Sequence, residues 1–205
     1  MARDTQSIVK MSRREGYALH PKAHKALVKR GYAPGQHGRN QRIKQSQYAL
    51  QLREKQKVRR LYGLLEKQFS NLMAEATKRQ GQSGENLLQF LERRLDNVIY
   101  RSGYAPSRRA ARQLVSHGHF MLNGRRVDIP SIRVAVGDSI VLRDHSKESH
   151  YFKNLDDVSP FNSDAVPAWL KVDRKKFTVT VSDLPTRDNA EEGINEQLIV
   201  EYYSR

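Results

Sequence analysis

Asn123-Gly124, set between Phe120-Met121-Leu122 and Arg125-Arg126-Val127, leaves this chain few local options. The tightest hairpin turns need φ > 0 at both central positions, and Asn-Gly between strand-like runs meets that need. The dipeptide therefore predicts two short antiparallel strands. A helix is expected just before them. Pro106 presets φ and lacks the N–H that a helix start leaves unpaired, and Gly118 supplies the left-handed residue on which helices commonly stop. Between them, at roughly 100° per residue, Arg108, Arg109 and Arg112 fall within one arc. Ala110, Ala111, Leu114 and Val115 fall on the other side. That helix has one face to bury and one guanidinium face to offer. Arg125 and Arg126 follow the turn directly, and such forked planar donors suit phosphate oxygens.

Charge says what kind of partner to expect. The 205 residues carry a net charge of +15, a pI of ≈ 10.2 and a mean hydropathy of -0.76. Residues 1–60 hold 16 Lys and Arg against 3 Asp and Glu, whereas residues 61–205 hold 21 against 19. A small protein this basic usually meets a polyanion, nucleic acid or acidic membrane. There are no cysteines, which excludes disulfides, thiolate zinc sites and cysteine nucleophiles. No apolar run approaches the ~20 residues of a membrane span. The N-terminus lacks the apolar core of a signal peptide, so a cytoplasmic protein, or one made in an organelle of bacterial descent, is expected. No nucleotide-binding glycine loop or catalytic constellation is present, so no enzyme activity and no cofactor are expected.

Along the chain an α+β organisation is expected. Residues 1–45 read as a basic extended arm, too poor in apolar residues to order itself and expected to order on a polyanion. Residues 46–90 read as a helical domain. Ser46 is its N-cap and Gly63 divides two helices. Within it Lys55 and Arg59 share a face, as do Lys57 and Arg60; like charges at these spacings repel, so a polyanion is expected to neutralise them. Residues 91–153 hold a helix–helix–hairpin module. Asp96 lies in an apolar stripe without a second carboxylate or nucleophile, which fits pairing with an arginine or capping of local donors and not catalysis. Residues 154–192 extend the sheet with strands over Ala168–Asp173 and Phe177–Val181, followed by an acidic loop. Ile199-Val200 would suit a strand, but Ile194, Leu198 and Tyr202 are four apart, and a helix over 193–204 returning to complete the helical domain is favoured.

The run RLDNVIYR, then SRRAARQLVSHGHFMLNGRRVDIPS, then GDSI, resembles the small RNA-binding module named after ribosomal protein S-four. The likeness extends to Ala33-Pro34-Gly35-Gln36-His37-Gly38, to the stretch from Gln51 to Gly63, to Gly84-Glu85-Asn86-Leu87-Leu88 and to the stretch from Ile194 to Ser204. Together these resemble the family of bacterial-type small-subunit ribosomal protein four, here in a cysteine-free form. The resemblance implies direct binding to small-subunit rRNA at a helix junction of the five-prime domain, an early role in assembly, and an effect on decoding accuracy with ribosomal protein five. It also implies other small-subunit proteins as neighbours and a place near the mRNA entrance, with no membrane.

The candidate RNA-binding residues are Arg13, Arg14, His37, Arg39, Arg42 and Lys44 in the arm, and Arg53, Lys55, Lys57, Arg59 and Arg60 in the helical domain. In the module they are Arg101, Ser107, Arg108, Arg109, Arg112, His117, Asn123, Arg125 and Arg126. Tyr32, Tyr48 and Tyr104 are candidates to stack on an unpaired base, with helix packing the better use for Tyr48. The resemblance implies that Glu196, Gln197, Val200, Glu201 and Tyr203 face ribosomal protein five. His20, His24 and His37 lack an obvious fourth ligand, so no metal site is assigned. Two other readings share the module: an RNA-modifying or tRNA-charging enzyme, which needs a further catalytic domain, and a stand-alone RNA chaperone.

Overall fold

The computed structural model describes residues 4–39 and 44–204. In chain order the helices are α1 (Ile8–Glu15), α2 (Pro21–Lys29), α3 (Gln47–Leu61), α4 (Glu66–Lys78), α5 (Ser83–Glu92), α6 (Leu95–Arg101) and α7 (Arg108–Ser116). Three strands follow, β1 (Phe120–Leu122), β2 (Arg125–Val127) and β3 (Ser139–Leu142). Then come the single-turn helices α8 (Asp144–Lys147), α9 (His150–Lys153) and α10 (Leu155–Val158), strands β4 (Leu170–Asp173) and β5 (Thr178–Val181), and helix α11 (Glu196–Tyr203). They form two compact units, residues 1–87 with 192–205, and residues 88–191.

The first unit corrects the expectation of an extended arm. Residues 8–29 fold as α1 and α2, which pack on each other, and α1 packs on α3. Apolar burial is thin: Met11, Leu19 and Ala23 supply it. Charge and hydrogen bonding do the rest. Glu15 at the end of α1 accepts from Arg53 at 3.2 Å and from Arg60, both on α3. Ser12 Oγ donates to the Ile8 carbonyl at 2.8 Å and accepts from the Leu19 N–H at 3.2 Å. Counting apolar residues alone misses this, because the ordering contacts are polar. At the other end of the chain α11 lies against α3, with Tyr202 and Tyr48 ring centroids 5.8 Å apart and Tyr203 and Phe69 6.3 Å apart.

The second unit is built on one antiparallel sheet of order β2-β1-β3-β5-β4. Leu122 pairs with Arg125, which leaves Asn123 (φ 49) and Gly124 (φ 78) as a two-residue turn. Asn123 also ties the hairpin to β3: its Nδ2 donates to Asp138 at 2.7 Å and its Oδ1 accepts from the Ser139 N–H at 2.9 Å. Helix α7 buries Ala111, Leu114 and Val115. Its cap is Ser107, whose Oγ accepts from the Ala110 N–H at 3.2 Å; Pro106 stands just outside the helix. At its far end Gly118 N–H reaches the Val115 carbonyl and His119 N–H the Leu114 carbonyl, the paired closure of a Schellman motif. Phe120, Ile140, Leu142, Phe152, Trp169 and Val179 complete the core.

A buried ion network joins α5, α6, α7 and the acidic loop. Asp96, 2% exposed, accepts from Arg94 through two nitrogens at 3.1 and 3.0 Å, from Arg112 at 2.7 Å and from the Asn97 N–H at 3.0 Å. Glu92, fully buried, accepts from Arg101 at 2.9 and 3.1 Å and from Asn97 Nδ2 at 2.8 Å. Asn97 Oδ1 then accepts from Arg108, and Arg108 and Arg101 both reach Glu191, at 2.7 and 3.4 Å. Every charge in the network has at least one partner of opposite charge, as charges taken out of water require.

Two stability outcomes follow from this network. Asp96→Ala removes the buried carboxylate that Arg94 and Arg112 share, and is expected to destabilise the second unit by about 3–5 kcal/mol. Urea unfolding followed by the single tryptophan, the buried Trp169, reads this directly. Burial pushes the Glu191 carboxyl up, but Arg108 and Arg101 outweigh it and hold it below its ordinary range. A carboxyl with a depressed folded pKa contributes stability above its unfolded pKa and loses it as pH falls through the folded one. Glu191→Gln is therefore expected to lower the urea midpoint at pH 7, with the gap to wild type closing below about pH 4.

Candidate RNA-binding surface

The cation run of α3 is already neutralised from within. Lys55 is buried (3% exposed), its Nζ 2.7 Å from Glu66 and 4.4 Å from the Tyr202 ring centroid. Arg59 lies 3.7 Å from the same carboxylate and donates to Gln56 and to the Leu64 carbonyl. Lys57 meets Glu54 at 2.8 Å and the Gly193 carbonyl at 2.6 Å. Arg53 and Arg60 hold Glu15. The expectation that a polyanion must neutralise this run is thus corrected: Glu15, Glu54 and Glu66 do so. Burial pushes the Glu66 carboxyl up, but Lys55, Tyr203 and Arg59 hold it below its ordinary range.

The arginines of the second unit divide in the same way. Arg101, Arg108 and Arg112 belong to the buried network, and Arg108 also lies over the Tyr100 ring at 4.5 Å. Ser107 caps α7 and Asn123 pins the hairpin, so both are structural. What faces solvent is a row four residues apart, Arg109 and Gln113 on α7 and His117 at its C-cap, together with Arg125 and Arg126 of β2. Arg126 crosses the C-terminal end of α7: its Nε lies 2.7 Å from where a Gly118 Cβ would stand. Helix and hairpin therefore do share one cationic surface, with fewer guanidinium groups than the sequence offers.

In the first unit Arg14, His37, Arg39 and Lys44 are exposed. Arg42 lies outside the described residues. Arg13 is occupied, donating to the carbonyls of Tyr32 and Ala33. Sequence reading missed α2. Lys22, Lys25 and Lys29 are exposed and spaced to share one face, with Arg30 exposed at the helix end. No described carboxylate pairs with any of them. A signal was available, because the stretch from Gly16 to Arg53 contains eight Lys and Arg and no Asp or Glu. Like-charge repulsion without an internal counter-ion therefore lies along α2, not along α3.

The α11 residues expected to face a protein are largely turned inward. Glu201 accepts from Gln51 at 2.8 Å and Tyr203 donates to Glu66 at 2.9 Å. Glu196 and Val200 pack over Gly84, where a Cβ would stand 2.7 Å from Glu196 Cγ and 3.6 Å from Val200 Cγ2. Gln197 is exposed. His20 caps α2, its Nδ1 accepting from the Lys22 N–H at 3.0 Å. Among the described residues no cluster of His, Asp or Glu could hold a metal ion, and no helix is long and apolar enough to cross a membrane.

Residues 3–92 match the family described as Ribosomal protein S4/S9 N-terminal domain, and residues 93–140 match the S4 domain. The small ribosomal subunit protein uS4 of Chlorobaculum tepidum is 50% identical over 205 residues, with both chains covered in full. That of Clostridioides difficile is 52% identical over 211 residues and that of Chloroflexus aurantiacus 50% over 206, again with full coverage of both chains. The two domain matches join in chain order, and the relatives align from end to end. The chain belongs to the uS4 family of small ribosomal subunit proteins, a family of structural proteins and not of enzymes.

Proposed function

We propose that this chain is an architectural component of the small ribosomal subunit that binds its rRNA directly, through phosphate contacts made separately by each of its two units. The observation that carries this is the sorting of cations. The cations of α3 and of the buried network, which have internal carboxylates, are buried or half-buried, whereas Lys22, Lys25, Lys29 and Arg30 in the first unit, and Arg125 and Arg126 in the second, stand exposed. A row of like charges on a helix costs stability until an anion neutralises it, and A-form RNA offers a dense phosphate backbone while its deep groove hides base edges. Backbone shape is then the main thing read. The relatives' name gives the assembly, and family resemblance gives the finer reading: a helix junction of the five-prime domain, an early role in assembly, and a share in decoding accuracy with ribosomal protein five.

Affinity for a five-prime-domain transcript of small-subunit rRNA is expected to fall steeply with salt through counterion release. The triple variant Lys22→Gln, Lys25→Gln, Lys29→Gln is expected to weaken binding and reduce the slope of log affinity against log salt by about 2, at roughly 0.7–0.9 for each phosphate no longer neutralised. Lys55→Met is the contrast: it is expected to lower the thermal midpoint and leave the slope alone. A triple variant with a wild-type slope would show that the α2 row is idle.

Arg125→Gln with Arg126→Gln is expected to lower affinity for the same transcript with little change in thermal midpoint, since both side chains are exposed. Competition by duplex DNA at near-equal affinity would favour a general nucleic-acid condenser instead.

A further inference from the structure

Tyr32 lies in the turn after α2, and its position is fixed from two sides. Arg13 of α1 donates Nε to the Tyr32 carbonyl at 3.1 Å and Nη2 to the Ala33 carbonyl at 3.3 Å. The same guanidinium lies over the Tyr32 ring, 4.9 Å from its centroid. From the other side Gly38 folds back against the Ala33 carbonyl, so closely that a Cβ there would stand 1.9 Å from its oxygen. Only glycine fits that approach. The ring is thus backed by a guanidinium while the residue stays 36% exposed. The other candidate tyrosines differ. Tyr104 is 1% exposed among Phe120, Phe177 and Arg174, and Tyr48 meets the Tyr202 ring.

The surroundings select the occupant. Lys29, Arg30, His37 and Arg39 are exposed within a few residues of Tyr32, inside the stretch that holds no carboxylate. Such a field draws a polyanion. Among polyanions, paired bases in a duplex stack on their neighbours and present no free face, whereas an unpaired nucleotide offers a base face and a phosphate together. We propose that Tyr32, held and backed by Arg13, is a platform on which one unpaired base of the rRNA stacks. The proposal rests on the rRNA reading above, and adds a single-stranded nucleotide to what is otherwise backbone recognition.

The full-length protein is titrated with the five-prime-domain transcript at several salt concentrations. Tyr32→Ala and Tyr32→Leu are expected to weaken binding about 5- to 150-fold, the equivalent of ~1–3 kcal/mol for one base on one aromatic ring. Neither is expected to change the salt slope, because the same phosphates remain neutralised. Tyr32→Phe and Tyr32→Trp are expected to bind as wild type does. Tyr32→Leu keeps apolar bulk, so a normal thermal midpoint with weakened affinity separates stacking from folding. Wild-type affinity in Tyr32→Leu, or a loss in Tyr32→Phe equal to that in Tyr32→Leu, overturns the platform while the steep wild-type slope still stands. A flat slope in the wild-type protein overturns the rRNA reading itself.

Discussion

Buried carboxylates that gather arginines from distant parts of the chain are the interaction on which both units depend. Glu15 draws Arg53 and Arg60 to the end of α1. Asp96 draws Arg94 and Arg112 together, and Glu92 holds Arg101. An ion pair taken out of water is a poor source of net stability, since desolvation of both partners opposes their attraction. Its value lies in what happens when one partner is missing. A lone buried charge is intolerable, so each carboxylate admits essentially one arrangement of the elements that carry its arginines. Burial even pushes the Glu15 carboxyl above its ordinary range, against the pull of Arg53 and Arg60. In a chain with little apolar material these pairs specify the packing that a larger core would otherwise specify.

The same pairs decide what the surface can do. A net charge of +15 invites the inference that every basic run is a binding surface. The run from Arg53 to Arg60 is the most basic-looking helix in the sequence, yet Glu15, Glu54 and Glu66 consume it. Lys55 shows how far this goes, with its ammonium between a carboxylate and an aromatic face. Cations become available to a partner only where the chain supplies no acid, and α2 with the turn after it is such a place. The useful quantity is therefore charge left after internal pairing, which net charge and local runs do not report.

This also explains which parts of the fold are legible in the sequence. The hairpin is, because Asn123-Gly124 acts through backbone conformation and needs no distant partner. The strands over Leu170–Asp173 and Thr178–Val181, and the return of α11 to α3, are legible from alternation and from helical spacing. Local rules fail where distant residues decide. Nothing near Glu15 in sequence announces Arg60, so α1 and α2 read as a loose arm. Nothing near Arg112 announces Asp96, so the ion pair between them goes unread. Ser107 shows the same thing in miniature: its Oγ accepts from the Ala110 N–H three residues on, and that capping role goes unassigned in the sequence reading. The absence of Asp and Glu from Gly16 to Arg53 is a long-range property that can be read, because it is a count and not a contact.

A folded N-terminal region changes how binding to RNA should be thought of energetically. A disordered arm must pay its ordering entropy when it binds, which lowers affinity for a given contact area. Here α1, α2 and the turn from Tyr32 to Gly38 are held by contacts within the chain itself. Arg13 illustrates the exchange. Its guanidinium is withdrawn from direct phosphate contact and used to hold two carbonyls of that turn. One electrostatic contact is given up, and several neighbouring groups, the α2 lysines among them, are presented without further loss of chain entropy. Under the rRNA reading proposed above, preorganisation of this kind lowers the entropy lost on binding, because the protein's surface is the fixed member of the pair.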